Sequence, residues 1–503
     1  MRKVLATVLS MLMLLTLFAG VAASADYAET VYFGYASDTA TAEPLQDSST
    51  QLNLVTNMTF RSLTRYDQKT GVLNPVLATE WEPNEDSTVW TFKLREGVKF
   101  HDGSTLDAED VVFTFNRAVD GTQVKVPAST VAACLDSVKA VDDLTVEFTL
   151  VRPVYDFPYL IDMTNIWSKE AFDSGMENPG YIGCGPYKWA GQEIGVSYTL
   201  EAFEDYFEGC PKTPKIVFKV MPEIDSQIAA LQTGEINFMT AVRATDLPIF
   251  DADPNIDYIT HGGATVYFLV WNSRREIAND KRVTDAIAMA YDKESANIAK
   301  FSGLGELTDS MVGNSASPDF VEIENPVPFD PEAAKALLAE AGYGEGDLTL
   351  TCQYYAWCKP FAEIFQACCS DIGVNVEMKE IDGSVFRALC EEGDYDVTMT
   401  YCGLGVSTLY MLERFFKEDG AGNWFGYVPT DEILAQFEVC YAQRNIEDLM
   451  KESAVLQQLC AADTRYIPVC MAPVMYGWTS NLQGYVDPLT SARLDFSSAY
   501  IEK

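Results

Sequence analysis

Histidine is scarce in this chain, which has His101 and His261 as its two histidines among 503 residues. They lie far apart and no C-x-x-C pair accompanies them, so we expect no zinc site and no other bound metal or cofactor. The sequence also lacks a G-x-S-x-G elbow, a G-x-x-x-x-G-K-[ST] phosphate loop and an H-E-x-x-H metal helix. These absences exclude the usual hydrolase, nucleotide-binding and metalloprotease signatures, and we expect that the chain is not an enzyme.

Basic residues are also few. The chain has 35 Lys and Arg against 74 Asp and Glu, for a formal net charge of −39. Such a chain repels nucleic acids and anionic lipid surfaces, so neither is expected as a partner. Solubility outside the cell explains the acidity, and an anionic ligand would need a local positive patch.

Long apolar runs are absent after the N-terminus. Arg2 and Lys3 precede an apolar run over residues 4–18, and Ala23-Ser24-Ala25 then gives a cleavage pattern before Asp26. The alternative, a membrane anchor, is weak because the run is short for spanning a bilayer. We expect residues 1–25 to be a signal peptide of an exported, periplasmic or extracytoplasmic protein. No cysteine for lipid attachment lies near the junction.

Cysteine, in contrast, is present at twelve positions, all in the exported part. An exported chain can hold disulfides, although the sequence does not fix their connectivity. Cys352 and Cys358 are spaced to close a local loop. The alternative is that these thiols are small buried apolar groups.

Residues 73–118 carry the most informative local pattern. Trp90, Phe92 and Leu94 alternate with polar residues, which predicts a strand buried on one face. His101-Asp102-Gly103 predicts a tight turn, and Asp107 is the predicted N-cap of the following helix. Earlier in the chain, residues 51–66 predict a helix that ends near Tyr66.

The run LATEWEPNEDSTVWTFKLREGVKFHDGSTLDAEDVVFTFNR at residues 77–117 resembles the extracytoplasmic solute-binding proteins of ABC importers. The similarity is to their large peptide- and nickel-binding family, which includes the oligopeptide- and dipeptide-binding proteins. The turn Gly183-Cys184-Gly185-Pro186-Tyr187 and the segment around Trp271-Asn272 match further parts of that family. The glycines of this turn are expected to supply conformations that other residues resist.

The resemblance implies an α/β fold, a two-lobe periplasmic-binding-protein-like clamshell whose first lobe is enlarged by an inserted subdomain. The length, which exceeds one core, and the strand–helix alternation after residue 330 agree with this fold. The expected segments are 1–25 for the signal peptide, 26–65 for the first part of lobe I and 66–186 for the insert. Residues 187–262 then complete lobe I, 263–475 form lobe II, and 476–503 return to lobe I.

The resemblance also places ligand contacts in four regions: the opening strand, the end of the strand that contains Trp271, the strand end after Asp396-Val397, and a later aromatic segment. The implied ligand-binding residues are Tyr35, Ser37, Thr39, Trp271, Asn272, Arg274, Tyr401, Cys402, Asn423, Trp424, Tyr427 and Tyr476. For each aromatic residue, packing in the core is the alternative role.

One feature departs from the family pattern. Peptide binders of the family commonly carry an Asp shortly after the strand that ends here near Tyr401, where it holds the α-amino group of the peptide. In this chain no acidic residue occurs between Tyr401 and Glu413. A buried ammonium without an anionic partner is costly, so dipeptide capture of the usual kind is in doubt.

The resulting hypothesis is a monomeric binding component of an ABC importer that captures a peptide or peptide-like solute by lobe closure. It would deliver this solute to a permease and ATPase complex in the membrane. The first alternative is a non-peptide solute such as a chelated metal, a glycan fragment or an amino-acid derivative. The second alternative is a secreted scaffold or chaperone-like protein.

Overall fold

The structure is a computed structural model that describes residues 27–46, 49–67, 69–125, 128–312, 320–383, 385–403, 407–485 and 493–502. The predicted signal peptide lies outside the described residues. Within them, no helix has the length and apolar character needed to cross a bilayer.

The chain starts in the half of the molecule that we call lobe I. Its first elements are β1 (Thr30–Tyr35) and α1 (Thr50–Thr59). The helix is therefore shorter than predicted, because Phe60 is extended and Thr64–Tyr66 is a strand. Carbonyl groups at the helix end are taken by other donors: Gly185 N donates to Thr59 O and Arg61 Nη1 donates to Phe60 O.

An inserted subdomain follows and forms its own four-stranded antiparallel sheet in the order β4-β5-β7-β6. Its elements are β2 (Thr64–Tyr66), β3 (Leu73–Pro75), β4 (Ala78–Pro83), β5 (Val89–Leu94), α2 (Ala108–Val119), α3 (Ser129–Ala132), β6 (Leu135–Asp142), β7 (Thr145–Leu150), α4 (Phe157–Leu160) and α5 (Lys169–Asp173). The predicted alternation in β5 is confirmed, because Trp90, Phe92 and Leu94 are buried. Asp107 is the N-cap of α2, as predicted, and accepts from the backbone N–H of Asp110.

The chain then returns to the main body of lobe I. The elements there are β8 (Tyr187–Glu193), β9 (Ser197–Ala202), β10 (Lys215–Val220), α6 (Ile224–Gln232), β11 (Phe238–Met239) and α7 (Leu247–Asp251). β1 lies between β10 and β11 and is parallel to both. Its buried residues Val31 and Phe33 lie in the core of this lobe.

Lobe II is entered through the long strand β12 (Ile256–Trp271). Its elements are α8 (Lys281–Ala290), α9 (Lys293–Phe301), β13 (Glu306–Leu307), α10 (Pro331–Ala341), β14 (Thr349–Tyr355), α11 (Lys359–Asp371), β15 (Asn375–Ile381), α12 (Phe386–Glu392), β16 (Val397–Gly403), α13 (Thr408–Phe416), α14 (Asp431–Tyr441) and α15 (Ile446–Ala461). Apolar clusters cover both faces of its strands, as expected for a mixed α/β lobe.

The chain returns through β17 (Tyr466–Thr479) and ends in lobe I with β18 (Leu482–Gln483) and β19 (Tyr500–Ile501). β17 pairs with β12 from Ile256, opposite Thr479, to Val270, opposite Tyr466. On the lobe I side β17 is flanked by β11, and on the lobe II side β12 is flanked by β16. Eleven described strands thus form one sheet that runs through both lobes.

All twelve cysteines are free thiols in this structure, so Cys352 and Cys358 do not close a loop. Ten of the thiols are buried, Cys368 is half-buried and Cys210 is exposed. Burial raises the pKa of Cys358 and Cys402 to about 12, which keeps these groups protonated. The ten buried thiols therefore act as small core residues.

Candidate functional site

β1 and β16 are strands that end near the border between the lobes. β1 ends at Tyr35, one residue beyond the pairing of Gly34 with Met239, and Met239 lies opposite Gly477 of β17. β16 ends at Gly403, opposite Thr265 of β12. The two ends therefore approach the border from opposite lobes, and the gap between them is the candidate binding cleft.

The floor of this cleft is formed by the paired strands β12 and β17, in the part of the sheet where neither β11 nor β16 lies beside them. We call residues 260–264 of β12 and 472–475 of β17 the crossing segment. Residues 260–262 and 472–475 are half-buried, whereas Val266–Trp271 and Tyr466–Met471 are buried. The pairing register also shifts between Gly262 and Val266. A partly solvated, irregular pair of strands is a suitable hinge between two lobes.

On the lobe I wall, the three predicted residues have different positions. Ser37 is exposed just beyond β1, and its hydroxyl accepts from the Gln51 side chain. Tyr35 is buried, and this burial raises the pKa of its phenol to about 12. Thr39 is also buried, and its hydroxyl donates to Thr41 O at 2.6 Å. Ser37 is therefore the member of this group whose side chain reaches solvent.

Half of the predicted residues lie at the other end of lobe II. Trp271 pairs with Val397, six residues along β12 from Thr265, which at about 3.3 Å per residue is roughly 20 Å from the cleft. Asn272 is buried and donates to Gly393 O at 2.9 Å and Tyr395 O at 3.0 Å. The structure thus gives Trp271 and Asn272 core and backbone-supporting roles rather than a place in the cleft.

Arg274, Asn423, Trp424 and Tyr427 are grouped at that same distant end. Arg274 donates to Cys390 O at 2.9 Å and to Trp424 O at 2.8 Å. Asn423 donates to Tyr427 O at 2.7 Å, and the Tyr427 phenol donates to Asp463 at 2.8 Å. These contacts fix a loop. They were not recognisable as structural in the sequence, where polar and aromatic residues at a strand end are typical of a binding site.

Tyr401 and Cys402 lie at the end of β16 that borders the cleft, with their side chains on opposite faces. Tyr401 is 41% exposed, whereas Cys402 is buried in the lobe II core. Tyr476 borders the crossing segment from β17, but its ring is buried against Phe238 at 5.5 Å in the lobe I core. Of these three residues, Tyr401 presents a surface to the cleft.

Two further aromatic residues at this edge were missed by the sequence analysis. β14 runs parallel to β16, with Tyr354 opposite Met399, so Tyr355 and Trp357 come level with the end of β16. Trp357 is 67% exposed, and the Tyr355 ring is 5.9 Å from the Tyr401 ring. We call Tyr355, Trp357 and Tyr401 the aromatic edge. The cluster QYYAWC was a possible signal, but the parallel pairing that aligns it with Tyr401 was not visible in the sequence.

The lobes also contact each other away from the crossing segment, through the insert. The Ser407 hydroxyl of lobe II donates to the Asp156 carboxylate. Arg152 Nη2 donates to both oxygens of Glu413 at 2.8 and 3.1 Å, and the Arg152 guanidinium lies 4.7 Å from the Tyr441 ring centre. Burial raises the pKa of Glu413, while Arg152 opposes that shift.

No cluster of three or more His, Cys, Asp and Glu suited to a metal ion occurs among the described residues. The residues around the cleft offer instead aromatic surface, hydroxyl groups and backbone groups at strand ends. This combination suits reversible binding of an organic solute.

Comparison with known proteins agrees with this arrangement. The profile of the bacterial extracellular solute-binding proteins, family 5 Middle, matches residues 72–423. A dipeptide-binding protein of Escherichia coli (strain K12) is 27% identical over 518 residues, covering 93% of this chain and 94% of that protein. Heme-binding protein A of Haemophilus influenzae is 27% identical over 383 residues, covering 69% of each chain.

The same fold occurs in a solved structure, that of the oligopeptide-binding protein AppA from Bacillus subtilis in complex with a nonapeptide. Its TM-score with this chain is 0.77 at 23% identity, and the match covers 95% of this chain and 99% of that one. The expected α/β clamshell fold is thereby confirmed. Because the family profile spans well over half of the sequence, the chain belongs to the bacterial extracellular solute-binding proteins of family 5.

Proposed function

We propose that this protein captures a peptide or peptide-like solute in the cleft and delivers it to the permease and ATPase complex of an ABC importer. The observation that carries the proposal is the aromatic edge of Tyr355, Trp357 and Tyr401 beside the crossing segment. The exposed rings of Trp357 and Tyr401 provide apolar area together with polar edges, which suits side chains of varied shape.

Backbone groups support a peptide ligand in particular. The ends of β1 and β16 face the cleft from opposite lobes, and extended peptides bind to strands through main-chain hydrogen bonds. Two relatives named above, a dipeptide-binding protein and a nonapeptide complex, agree with this ligand class. In this role the protein acts as an exported monomer that changes no bond in its ligand.

A non-peptide solute is the alternative. Heme-binding protein A is similar to most of this chain, and a flat apolar solute would also stack on the aromatic edge. A chelated metal, a glycan fragment or an amino-acid derivative belongs to the same alternative. A secreted scaffold or chaperone-like protein is the third possibility, and it requires no small ligand in the cleft.

A thermal-shift screen of the purified protein separates these functions, because a ligand at 100 times its dissociation constant stabilises the folded state by about 2.7 kcal/mol. Peptides of two to nine residues are compared with hemin, metal chelates and glycan fragments. Stabilisation by peptides alone supports the proposal, and stabilisation by another class alone supports the alternative. Binding of unfolded proteins without any small ligand would favour the third.

Variants locate the site. Trp357→Ala and Tyr401→Ala are expected to weaken ligand binding about tenfold each, because stacking area is lost. Phe329→Ala is the matched control, since Phe329 is an exposed aromatic residue of lobe II that precedes α10. Equal affinity in all four proteins, measured by titration calorimetry, would show that the aromatic edge is not the site.

A further inference from the structure

A second cavity lies between the insert and lobe II, next to Ser407. Its volume is about 240 Å³. Apolar side chains form most of the wall, together with a few hydroxyl groups. The lining includes Tyr66, Asp156, Tyr159, Ser407, Leu449 and Ala454.

Asp156 is the charged residue among these described lining residues. Its side chain is buried and forms no cap hydrogen bond to α4, the short helix that it precedes. Its partner across the border is the Ser407 hydroxyl, which also accepts from the Tyr410 backbone N–H at 3.1 Å. The Asp156 carboxylate therefore lines the cavity and does not cap its own helix.

No full positive charge compensates this carboxylate among the described lining residues. Arg152 acts on it from outside the cavity lining, and the Arg152 guanidinium is bound to Glu413. Ser407 is the N-cap of α13, and a helix N-terminus supplies only about half an elementary charge. Burial accordingly raises the pKa of Asp156. A buried carboxylate in an apolar cavity binds best to an incoming cation.

We propose that this cavity receives a primary ammonium group attached to an apolar body, with Asp156 as its counter-ion. The Tyr66 and Tyr159 rings, 5.5 Å apart, provide aromatic wall beside it. The cavity is smaller than the roughly 300–1,000 Å³ of a typical whole-ligand site, so it holds one end of a larger solute. This inference rests on the proposed function and extends it: the free amino terminus of a bound peptide is the group received.

Closure of the lobes is part of the recognition. Asp156 belongs to the insert of lobe I, whereas Ser407, Leu409 and Leu449 belong to lobe II. An ammonium ligand bound to Asp156 would contact both lobes only when they are together. A ligand that contacts both lobes stabilises the closed form by its differential affinity for that form.

The test compares matched ligands with and without the charge. Trileucine and phenethylamine are titrated against N-acetyl-trileucine and N-acetyl-phenethylamine by calorimetry at neutral pH. The free amines are expected to bind at least tenfold more tightly than their acetylated forms. In Asp156→Asn this ratio is expected to fall towards one, and in Asp371→Asn, an exposed carboxylate on α11, it is expected to be unchanged.

Ala454→Trp provides a second variant that fills the cavity from α15 and leaves the carboxylate in place. It is expected to abolish the preference for free amines even if Asp156→Asn does not fold. Equal binding of free and acetylated ligands, or a ratio that both variants leave unchanged, would overturn the inference.

The ligand classes separate the two proposals. If trileucine and its acetyl derivative bind equally, the peptide function stands and the inference falls. If phenethylamine binds in an Asp156-dependent manner and no peptide binds, the inference stands and the peptide function falls. If no ligand binds, both are wrong.

Discussion

At the scale of single residues, Gly183 and Gly185 show why the turn before β8 requires glycine. Neither has a positive φ, so backbone conformation, which the sequence analysis gave as the reason, is not what requires glycine here. A Cβ atom would lie 2.1 Å from Thr59 O at Gly183 and 2.4 Å from Met58 O at Gly185. The turn packs directly on the end of α1, where a methyl group has no space.

The variant Gly185→Ala is therefore expected to destabilise the protein by about 2–4 kcal/mol, because backbone atoms of α1 must move. Thermal or urea unfolding measures the loss. Gly403→Ala is the control, since a Cβ there meets no atom within 4 Å and its φ is not positive. Similar stability of the two variants would show that the close approach is not what requires glycine.

His101 is the residue with the clearest consequence for pH. Its Nε2 lies 3.0 Å from Gly185 O, and burial lowers its pKa from 6.5 to about 4. The unfolded chain therefore binds a proton below pH 6.5 that the folded protein does not bind until about pH 4. The contribution of His101 to stability is complete above pH 6.5 and is lost as the pH falls through this interval.

Between pH 6.5 and pH 4, wild-type protein is expected to lose about 2–3 kcal/mol more stability than His101→Gln, which cannot titrate there. Urea unfolding of both proteins at several pH values gives the difference. Parallel stability curves would mean that His101 has the same pKa in the folded protein as in the unfolded chain.

At the scale of secondary-structure elements, N-cap residues help to fix where a helix begins. Asp107 accepts from the backbone N–H groups of Glu109 and Asp110, and the Asp110 carboxylate accepts in return from the Asp107 N–H at 3.0 Å. Such a reciprocal pair satisfies backbone groups that the first helical turn leaves without partners.

Replacement of Asp107 by Ala is expected to cost about 1 kcal/mol, the usual loss for an N-cap, without change in ligand affinity. Chemical denaturation gives the first value and calorimetry the second. Asp107→Asn, which keeps an acceptor, is expected to retain most of the stability. An Ala variant as stable as wild type would show that the cap is dispensable.

The same elements show what the sequence could predict. Alternation at Trp90, Phe92 and Leu94 and the cap at Asp107 are local signals, and the structure confirms the strand and the helix. The end of α1 was missed because Gly185, which binds Thr59 O, is remote in sequence. Trp357 was missed because its alignment with Tyr401 depends on the pairing of β14 with β16. Asp156 was missed because its contact with Ser407 joins residues 251 positions apart in the sequence.

At the scale of the whole molecule, the lobes are joined in two ways. The crossing segment is permanent, because it belongs to one sheet, whereas the contacts of Asp156 and Arg152 across the border are reversible. The ion pair of Arg152 and Glu413 is half-buried, so it is sensitive to the loss of either partner. Opening of the cleft must separate both contacts.

Arg152→Met and Glu413→Gln are each expected to shift the protein towards an open form, and small-angle scattering would detect the larger radius of gyration. The coupling between the two changes in a double-mutant cycle of stability should be roughly 1 kcal/mol, because the arginine is partly solvated. Lys139→Met, at an exposed ion pair within the insert, is the control. Radii equal to wild type in both variants would mean that this pair does not hold the lobes together.

The burial of ten thiols makes the folded protein less sensitive to oxidation than the unfolded chain. In the finished fold, an oxidant in bulk solvent meets Cys210 and the edge of Cys368, and the remaining thiols are shielded. An unfolded copy exposes all twelve to the same oxidant at once, and random cross-links would then trap it. Burial in the fold, rather than disulfide bonding, therefore limits the access of an oxidant to these thiols.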